Sequence, residues 1–74
     1  MMINKVGKAL TARQREALFY AALGFTLKST AKVMNISHET VREHRAGAIL
    51  RLGAQNIANA VYLGHDIIDA VASE

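Results

Sequence analysis

The sequence contains no cysteine and no proline, and it has no long apolar run. Without cysteine, neither disulfides nor a metal site with thiolate ligands can stabilise so short a chain. A membrane span needs roughly 18 apolar residues, and the first eight residues lack the continuous apolar segment of a secretion signal. We therefore expect the 74 residues to form one small, soluble, cytoplasmic domain that makes no membrane contact.

Acidic residues are few, and half of them lie at the end of the chain. The net charge is +3, from nine basic and six acidic residues. Because Asp66, Asp69 and Glu74 fall in the last nine residues, residues 1–65 carry a net charge of +6. A basic body with an acidic tail fits a polyanion partner such as nucleic acid. A basic surface that is merely solvated fits the same charges, so charge alone leaves both readings open.

The clearest helix signal lies between Ser37 and Gly53. Ser37 is a good N-cap residue, because its hydroxyl oxygen can accept a free backbone N–H of the first turn. Glu39 places negative charge at the positive end of the helix dipole. Gly53 can adopt the left-handed conformation that ends many helices. These signals predict a helix over residues 38–52.

Similar signals predict three more helices. Thr11 and Gln14 form a capping-box pattern that starts the first helix, and Thr26 is placed to cap a second helix that ends near Met34. Asn35 tolerates the left-handed conformation and predicts a tight turn. Asn56 is placed to cap a fourth helix that runs to about residue 72. Residues 1–9 are expected to be an N-terminal arm whose Lys5 and Lys8 contact phosphate.

The pattern contains no strand-like alternation, which predicts an all-α domain of four helices over residues 10–74. The second and third helices, joined by the tight turn, form a helix-turn-helix. In such a motif the second helix enters the DNA major groove.

Ordered residues along these helices carry a resemblance to a known family. They are Leu10-Thr11-x-Arg13-x-Arg15-Glu16, Ala22-x-Gly24-x-Thr26-x-Lys28-x-x-Ala31, Ile36-Ser37-x-x-Thr40-Val41-Arg42-x-His44, Arg51-Leu52-Gly53-Ala54, Asn56 and Ala60-Val61. This set resembles the LuxR/GerE-type helix-turn-helix DNA-binding domain of bacterial transcription regulators, over about residues 9–68. The resemblance implies a third helix that reads double-stranded DNA and a fourth helix that often mediates dimerisation.

The resemblance also implies site residues. Bases are read from Arg42, Glu43 and Ala46, and we assign backbone contacts to Thr26, Lys28, Ser37, Thr40, Arg45 and Arg51. The chemistry agrees, because Arg42 can bind guanine O6 and N7 in a bidentate contact worth about 1–3 kcal/mol of discrimination. Lys28 and Arg51 suit phosphate contacts, and hydroxyl groups at helix starts are ready anion sites.

Several residues depart from the family pattern. Ala46 can at most touch a thymine methyl, and Glu43 would repel phosphate unless it meets a cytosine amine or orients Arg42. Ile57 stands where arginine is common, and Ala48 stands where a larger aliphatic residue is usual. Ser29 and Thr30 replace a Glu-Ile pair.

Apolar residues at outward positions predict a protein partner. Phe19 and Leu23 lie four residues apart on the outer side of the first helix, and Leu27, Leu50 and Ile57 are apolar where the family is often polar. A contiguous exposed apolar patch usually marks an interface. Scattered single exposures are the alternative and need no function.

The fourth helix carries two stripes. Val61, Ile67, Ile68 and Val71 are expected to pack against the first and third helices. Ala58, Tyr62, His65 and Asp69 form a second stripe, which we expect to be a homodimer interface because twofold operators match twofold proteins.

Metal binding and catalysis are not expected. His38 and His44 lie six residues apart and cannot share a helical face as ligands, and His65 is on another helix. Ser37 is better explained as a cap than as a nucleophile, because so short a chain can hardly form a catalytic pocket. No cofactor is expected.

Two functions follow. The first is a small standalone DNA-binding regulator that inserts helix 38–52 into the major groove as a homodimer. The second is an interaction protein that uses the same fold to bind another regulator or RNA polymerase, with weak or lost DNA binding.

Overall fold

The computed structural model describes residues 10–72, and this part of the chain contains helices and no strands. The helices are α1 (Ala12–Ala22), α2 (Leu27–Met34), α3 (His38–Leu52), α4 (Ile57–Leu63) and α5 (His65–Ala72). The all-α prediction is confirmed. The predicted arm over residues 1–9, with Lys5 and Lys8, lies outside the described residues.

The helix starts follow the predicted capping chemistry. At α1, Thr11 Oγ1 accepts a hydrogen bond from the Gln14 N–H at 3.0 Å, and Gln14 Oε1 accepts one from the Thr11 N–H at 3.0 Å. At α3, Ser37 Oγ accepts from the Thr40 N–H at 3.1 Å. Each bond satisfies a backbone donor that the helix itself leaves free. The predicted starts of both helices are confirmed.

A second capping box at α2 was not expected from the sequence. Thr26 Oγ1 accepts from the Ser29 N–H at 3.0 Å, while Ser29 Oγ accepts from the Thr26 N–H at 2.9 Å. The usual partner at this position is Glu or Gln. Ser29 performs the same task with a shorter side chain, so replacing an acidic residue here does not remove the box.

The turn between α2 and α3 has the predicted left-handed residue. Asn35 has φ 59° and ψ 47°, and the Ile36 N–H donates to the Ala31 carbonyl at 3.0 Å. Gly53 ends α3 in the same way, with φ 66° and a bond of 2.9 Å from the Ala54 N–H to the Ile49 carbonyl. Both ends satisfy carbonyls that would otherwise lack a partner.

The prediction of one fourth helix from Asn56 to about residue 72 is wrong in its middle. Asn56 does cap α4, but the helix ends at Leu63 and α5 begins at His65. Gly64, between them, is buried, and a Cβ there would lie 2.8 Å from Leu18 Cδ2. The close approach of α1 and the interruption between α4 and α5 therefore both occur at a residue with no side chain.

The core lies where α1, α3, α4 and α5 meet. Its fully buried members are Leu10, Leu18, Ala48 and Ala60, and half-buried residues packed against them include Leu52, Ile57, Val61, Ile67 and Ile68. The inner stripe predicted for the fourth helix is thus the part that packs on the core. Ile57, predicted to add to an exposed patch, packs there too.

Within residues 10–72, no helix is both long enough and apolar enough to cross a membrane.

Candidate nucleic-acid interface

Helix α3 has one face turned to solvent and one turned to the core. Val41 and Ala48 are completely buried. Arg42, Glu43 and Ala46, the predicted base-reading residues, are all exposed. The helix therefore offers these three side chains to a partner without any rearrangement of the core.

The first turn of α3 carries two hydroxyl groups in contact. Ser37 Oγ and Thr40 Oγ1 lie 2.8 Å apart, and Ser37 Oγ also accepts from the Thr40 N–H. Ser37 is exposed and Thr40 is half-buried. The two predicted backbone-contact residues are thus brought together at the amino end of the helix.

A shallow groove runs between α2 and the start of α3. Its lining includes Lys28, Lys32, Ser37 and His38. Both lysines are exposed and lie four residues apart, on one side of α2. Sequence reasoning found Lys28 and Ser37 but missed Lys32 and His38. The spacing of the two lysines was a signal that could have found Lys32.

Thr26 and Arg51 lie at the ends of different helices. Thr26 is exposed at the start of α2, where its hydroxyl belongs to the capping box. Arg51 is exposed in the last turn of α3, roughly 20 Å along the helix from Ser37 at 1.5 Å per residue. The backbone-contact candidates therefore extend over the length of α3.

Arg45 does not join these residues, and the structure favours a different role for it. Its Nη2 donates to the Phe25 carbonyl at 3.0 Å and reaches Thr30 Oγ1 at 3.4 Å. Its Nε is out of solvent and has no hydrogen-bond partner. Burial lowers the pKa of the Arg45 guanidinium from its ordinary value. The Arg45 guanidinium therefore makes hydrogen bonds within the domain, and its contact with phosphate stays a prediction.

A second arginine, Arg13 of α1, forms a hydrogen bond to the end of α2. Arg13 Nη2 donates to the Met34 carbonyl at 3.3 Å, and Arg13 Nη1 pairs with Glu16 Oε1 at 2.7 Å. The end of α2 is thus attached to α1 by a hydrogen bond to a charged donor, which is stronger than one between neutral groups.

The stripe predicted for a dimer is exposed but divided between two helices. Ala58 and Tyr62 lie on α4, and His65 and Asp69 lie on α5. Tyr62 is 75% exposed. His65 Nδ1 lies 3.1 Å from the Tyr62 carbonyl oxygen, which links the two helices across Gly64.

The predicted partner patch is smaller than the sequence indicated. Leu23 is 58% exposed, whereas Phe19 and Leu27 are half-buried. The Phe19 ring meets the Tyr20 ring in an edge contact with centroids 5.3 Å apart. Leu50, at 81%, is the most exposed large apolar residue in the described part of the chain.

Among residues 10–72, no group of three or more histidine, cysteine, aspartate or glutamate residues is arranged to hold a metal ion. The described part of the site consists of cations, hydroxyl groups and one exposed helix face.

Comparison with known proteins identifies the family. The profile of the bacterial regulatory proteins of the luxR family matches residues 8–63, most of the chain. The chain belongs to the LuxR family. The matched segment contains the helix-turn-helix of α2 and α3 and extends through α4. This family consists of regulators and is not a family of enzymes.

Three curated relatives are transcriptional activators. The chain is 32% identical to the transcriptional activator protein EsaR of Pantoea stewartii over 57 residues, which are 77% of the chain and 23% of the relative. It is 37% identical to BjaR1 of Bradyrhizobium diazoefficiens over 62 residues, 81% of the chain and 26% of the relative. It is 35% identical to SolR of Ralstonia nicotianae over 60 residues, 81% of the chain and 25% of the relative.

The chain spans about a quarter of the length of these relatives. No solved structure gives a significant match.

Proposed function

We propose that this domain binds double-stranded DNA as part of transcription regulation, with α3 inserted into the major groove. The observation that carries the proposal is the division of α3, on which Arg42, Glu43 and Ala46 are exposed while Val41 and Ala48 are completely buried. A helix with a fixed back and a free polar front has the shape that groove reading needs. Membership of the LuxR family supports the same function.

The exposed residues divide into two kinds of contact. Arg42 has a planar guanidinium that can bind guanine O6 and N7 together, and it supplies the base discrimination. Lys28, Thr26, Ser37, Thr40 and Arg51 contact the phosphate backbone, and Lys32 joins Lys28 because both line the same groove. Backbone contacts fix orientation and give most of the affinity, but they carry no sequence information. No cofactor takes part.

Because Arg42 is the one arginine among the proposed base-reading residues, each domain would make few direct contacts with bases. Glu43 and Ala46, the other two predicted base-reading residues, offer a carboxylate and a methyl group. We propose that specificity is completed by a homodimer formed through the exposed stripe Ala58, Tyr62, His65 and Asp69. Two domains related by a twofold axis would read two half-sites, which doubles the number of specific contacts.

Two substitutions separate the two kinds of contact. DNA fragments are first selected from a bacterial genomic library, and binding to a selected and an unselected fragment of equal length is then measured from low to moderate salt. Lys28→Ala should weaken both complexes alike and lower the slope of log affinity against log salt by about 0.9 per domain. Arg42→Ala should reduce the preference for the selected fragment about tenfold or more.

The matched control for Lys28→Ala is Lys28→Arg, which keeps the charge and should restore the salt slope. Absence of any binding by the unmodified chain at low salt would overturn the proposal. Binding with no preference between fragments would leave a backbone-binding protein and refute groove reading by Arg42.

Exposed leucines favour a second function, that of a module that binds another regulator or RNA polymerase. Leu50 is 81% exposed and Leu23 is 58% exposed. Apolar residues on so small a surface are typical of protein interfaces when they form one patch. Leu50→Glu and Leu23→Glu should then abolish binding to purified RNA polymerase or to a second regulator. DNA binding should stay unchanged in Leu23→Glu, because Leu23 lies outside α2 and α3, whereas Leu50 neighbours Arg51 on α3. Unchanged binding by both variants would refute this function.

A further inference from the structure

The position of Arg45 joins two parts of the proposed DNA-binding surface. The residue belongs to α3, three positions after Arg42, yet its guanidinium ends on the segment that leads into α2. The carbonyl it holds belongs to Phe25, and the next residue, Thr26, is the cap of α2. Arg45 therefore attaches the start of α2 to the middle of α3.

The other end of α2 is fixed independently. Asn35 turns the chain directly from α2 into α3, and Arg13 holds the Met34 carbonyl against α1. The amino end is also held by backbone, because the Phe25 N–H donates to the Tyr20 carbonyl of α1 at 3.0 Å. The bonds from Arg45 to Phe25 and Thr30 add a direct link between α3 and this end of α2, and links at both ends of α2 constrain the angle between α2 and α3.

The angle between these helices matters for DNA recognition. Lys28 is in the first turn of α2, whereas Arg42 is in the second turn of α3. A phosphate contact from one and a base contact from the other can form together only in one relative placement. Backbone contacts set the register in which base contacts form.

The hydrogen bonds of Arg45 within the domain are chemically unusual for an arginine. Its two acceptors, a carbonyl and a hydroxyl, are neutral, and its Nε has no hydrogen-bond partner. Thr30, which provides the hydroxyl, is completely buried. A partly desolvated charge without a carboxylate is unfavourable for stability. The arrangement is easier to understand as a device that fixes geometry than as one that stabilises the fold.

We propose that Arg45 is a positioning residue that sets the specificity of DNA binding by fixing the start of α2 relative to α3. This inference rests on the proposed function. It assigns Arg45 no contact with DNA and gives Thr30 a part in recognition, because its hydroxyl is the second acceptor of the same guanidinium.

The test measures discrimination, which is the ratio of the affinities for a selected and an unselected DNA fragment, and not only the affinity for one of them. Arg45→Met keeps an unbranched side chain but removes every donor. We expect the preference for a selected fragment over an unselected one to fall about tenfold or more, while affinity for the unselected fragment and its salt slope stay nearly unchanged. Lys28→Ala is the matched control, since loss of a phosphate contact weakens both complexes and lowers the slope by about 0.9.

Two further variants keep the test decisive. Arg45→Lys retains the charge but cannot reproduce a planar guanidinium, so it should not restore discrimination. If circular dichroism shows that Arg45→Met does not fold, Thr30→Val is used in its place. Thr30→Val removes one acceptor at similar volume and should also lower the preference for the selected fragment.

The outcomes separate this inference from the proposed function. No DNA binding by the unmodified chain overturns both. Selective binding by the unmodified chain, with discrimination unchanged in Arg45→Met and Thr30→Val, overturns the positioning role alone. Equal weakening of both complexes by Arg45→Met, with a slope lower by about 0.9, would make Arg45 a direct phosphate contact and also overturn the inference.

Discussion

Arginines of this domain serve two different purposes. Arg13, Arg15 and Arg45 each donate to a backbone carbonyl outside their own helix; the acceptors are Met34, Leu10 and Phe25. Arg42, by contrast, is exposed on the face proposed to read bases. The net charge of the sequence therefore overstates the number of cations that face a partner, because several guanidinium groups are engaged in hydrogen bonds within the domain.

Gly47 of α3 lies close to the side chain of Gln14 of α1. A Cβ built on Gly47 would overlap the amide end of Gln14, whose Oε1 accepts the Thr11 N–H in the capping box of α1. Alanine is favoured over glycine inside a helix by about 1 kcal/mol. Displacing the Gln14 amide would remove a hydrogen bond worth about as much. We expect Gly47→Ala alone to leave the free energy of unfolding nearly unchanged.

The same substitution in a Gln14→Ala background should stabilise the fold by about 1 kcal/mol, because the capping bond is already absent. Urea denaturation of the four proteins, treated as a double-mutant cycle, measures the difference. An equal effect of Gly47→Ala in both backgrounds would show that the two residues do not interact.

At the scale of helices, the caps were predictable and the break at Gly64 was not. Thr11, Ser37 and Gly53 act on backbone groups within a few residues of themselves, so the sequence signals them directly. At the break, Gly64 lies against Leu18 of α1, which is 46 positions away in the sequence. The apolar stripe continues through Gly64 without interruption, so periodicity favoured one long helix.

In the candidate site, too, some residue positions could be predicted from the sequence and others could not. The exposed face of α3 follows from helical spacing, and the positions of Arg42, Glu43 and Ala46 could be predicted from it. The destination of Arg45 could not, because its acceptors at Phe25 and Thr30 lie 20 and 15 residues away. A long flexible side chain can reach either solvent or an internal acceptor, and only packing decides between them.

Gly64 should be intolerant of a side chain. A Cβ would lie 2.8 Å from Leu18 Cδ2 and 3.0 Å from the Ala60 carbonyl oxygen, and the latter belongs to rigid backbone. We expect Gly64→Ala to lower the free energy of unfolding by about 1–3 kcal/mol through overpacking. Gly47→Ala is the control at a site where only a flexible side chain is in the way. Stability of Gly64→Ala equal to that of the unmodified chain would contradict this account of the break.

At the scale of the whole molecule, the proposed DNA-binding and dimer surfaces lie on different helices. The proposed DNA-binding surface belongs to α2 and α3, whereas the proposed dimer stripe belongs to α4 and α5. Exposed Leu23 lies at the end of α1. Substitutions on one surface should therefore leave the others intact, which makes the proposals separable by experiment.

The homodimer can be tested through Tyr62, which is 75% exposed. Size-exclusion chromatography with light scattering at micromolar concentration should give the mass of a dimer for the unmodified chain and of a monomer for Tyr62→Glu. The physical reason is that a carboxylate would have to lose its hydration in the interface. Leu23→Glu is the control and should remain dimeric. A chain that stays monomeric both alone and on DNA would refute the proposed interface.

Helix α5 contains no fully buried residue; Ile67, Ile68 and Val71 are only half-buried. It packs mainly on α1 and α4, away from the helix-turn-helix. Such an element has a lower local opening free energy than the core, and its amide hydrogens exchange sooner. Opening of α5 would leave the contacts between α2 and α3 in place. The domain can therefore open α5 locally while the helix-turn-helix of α2 and α3 remains assembled.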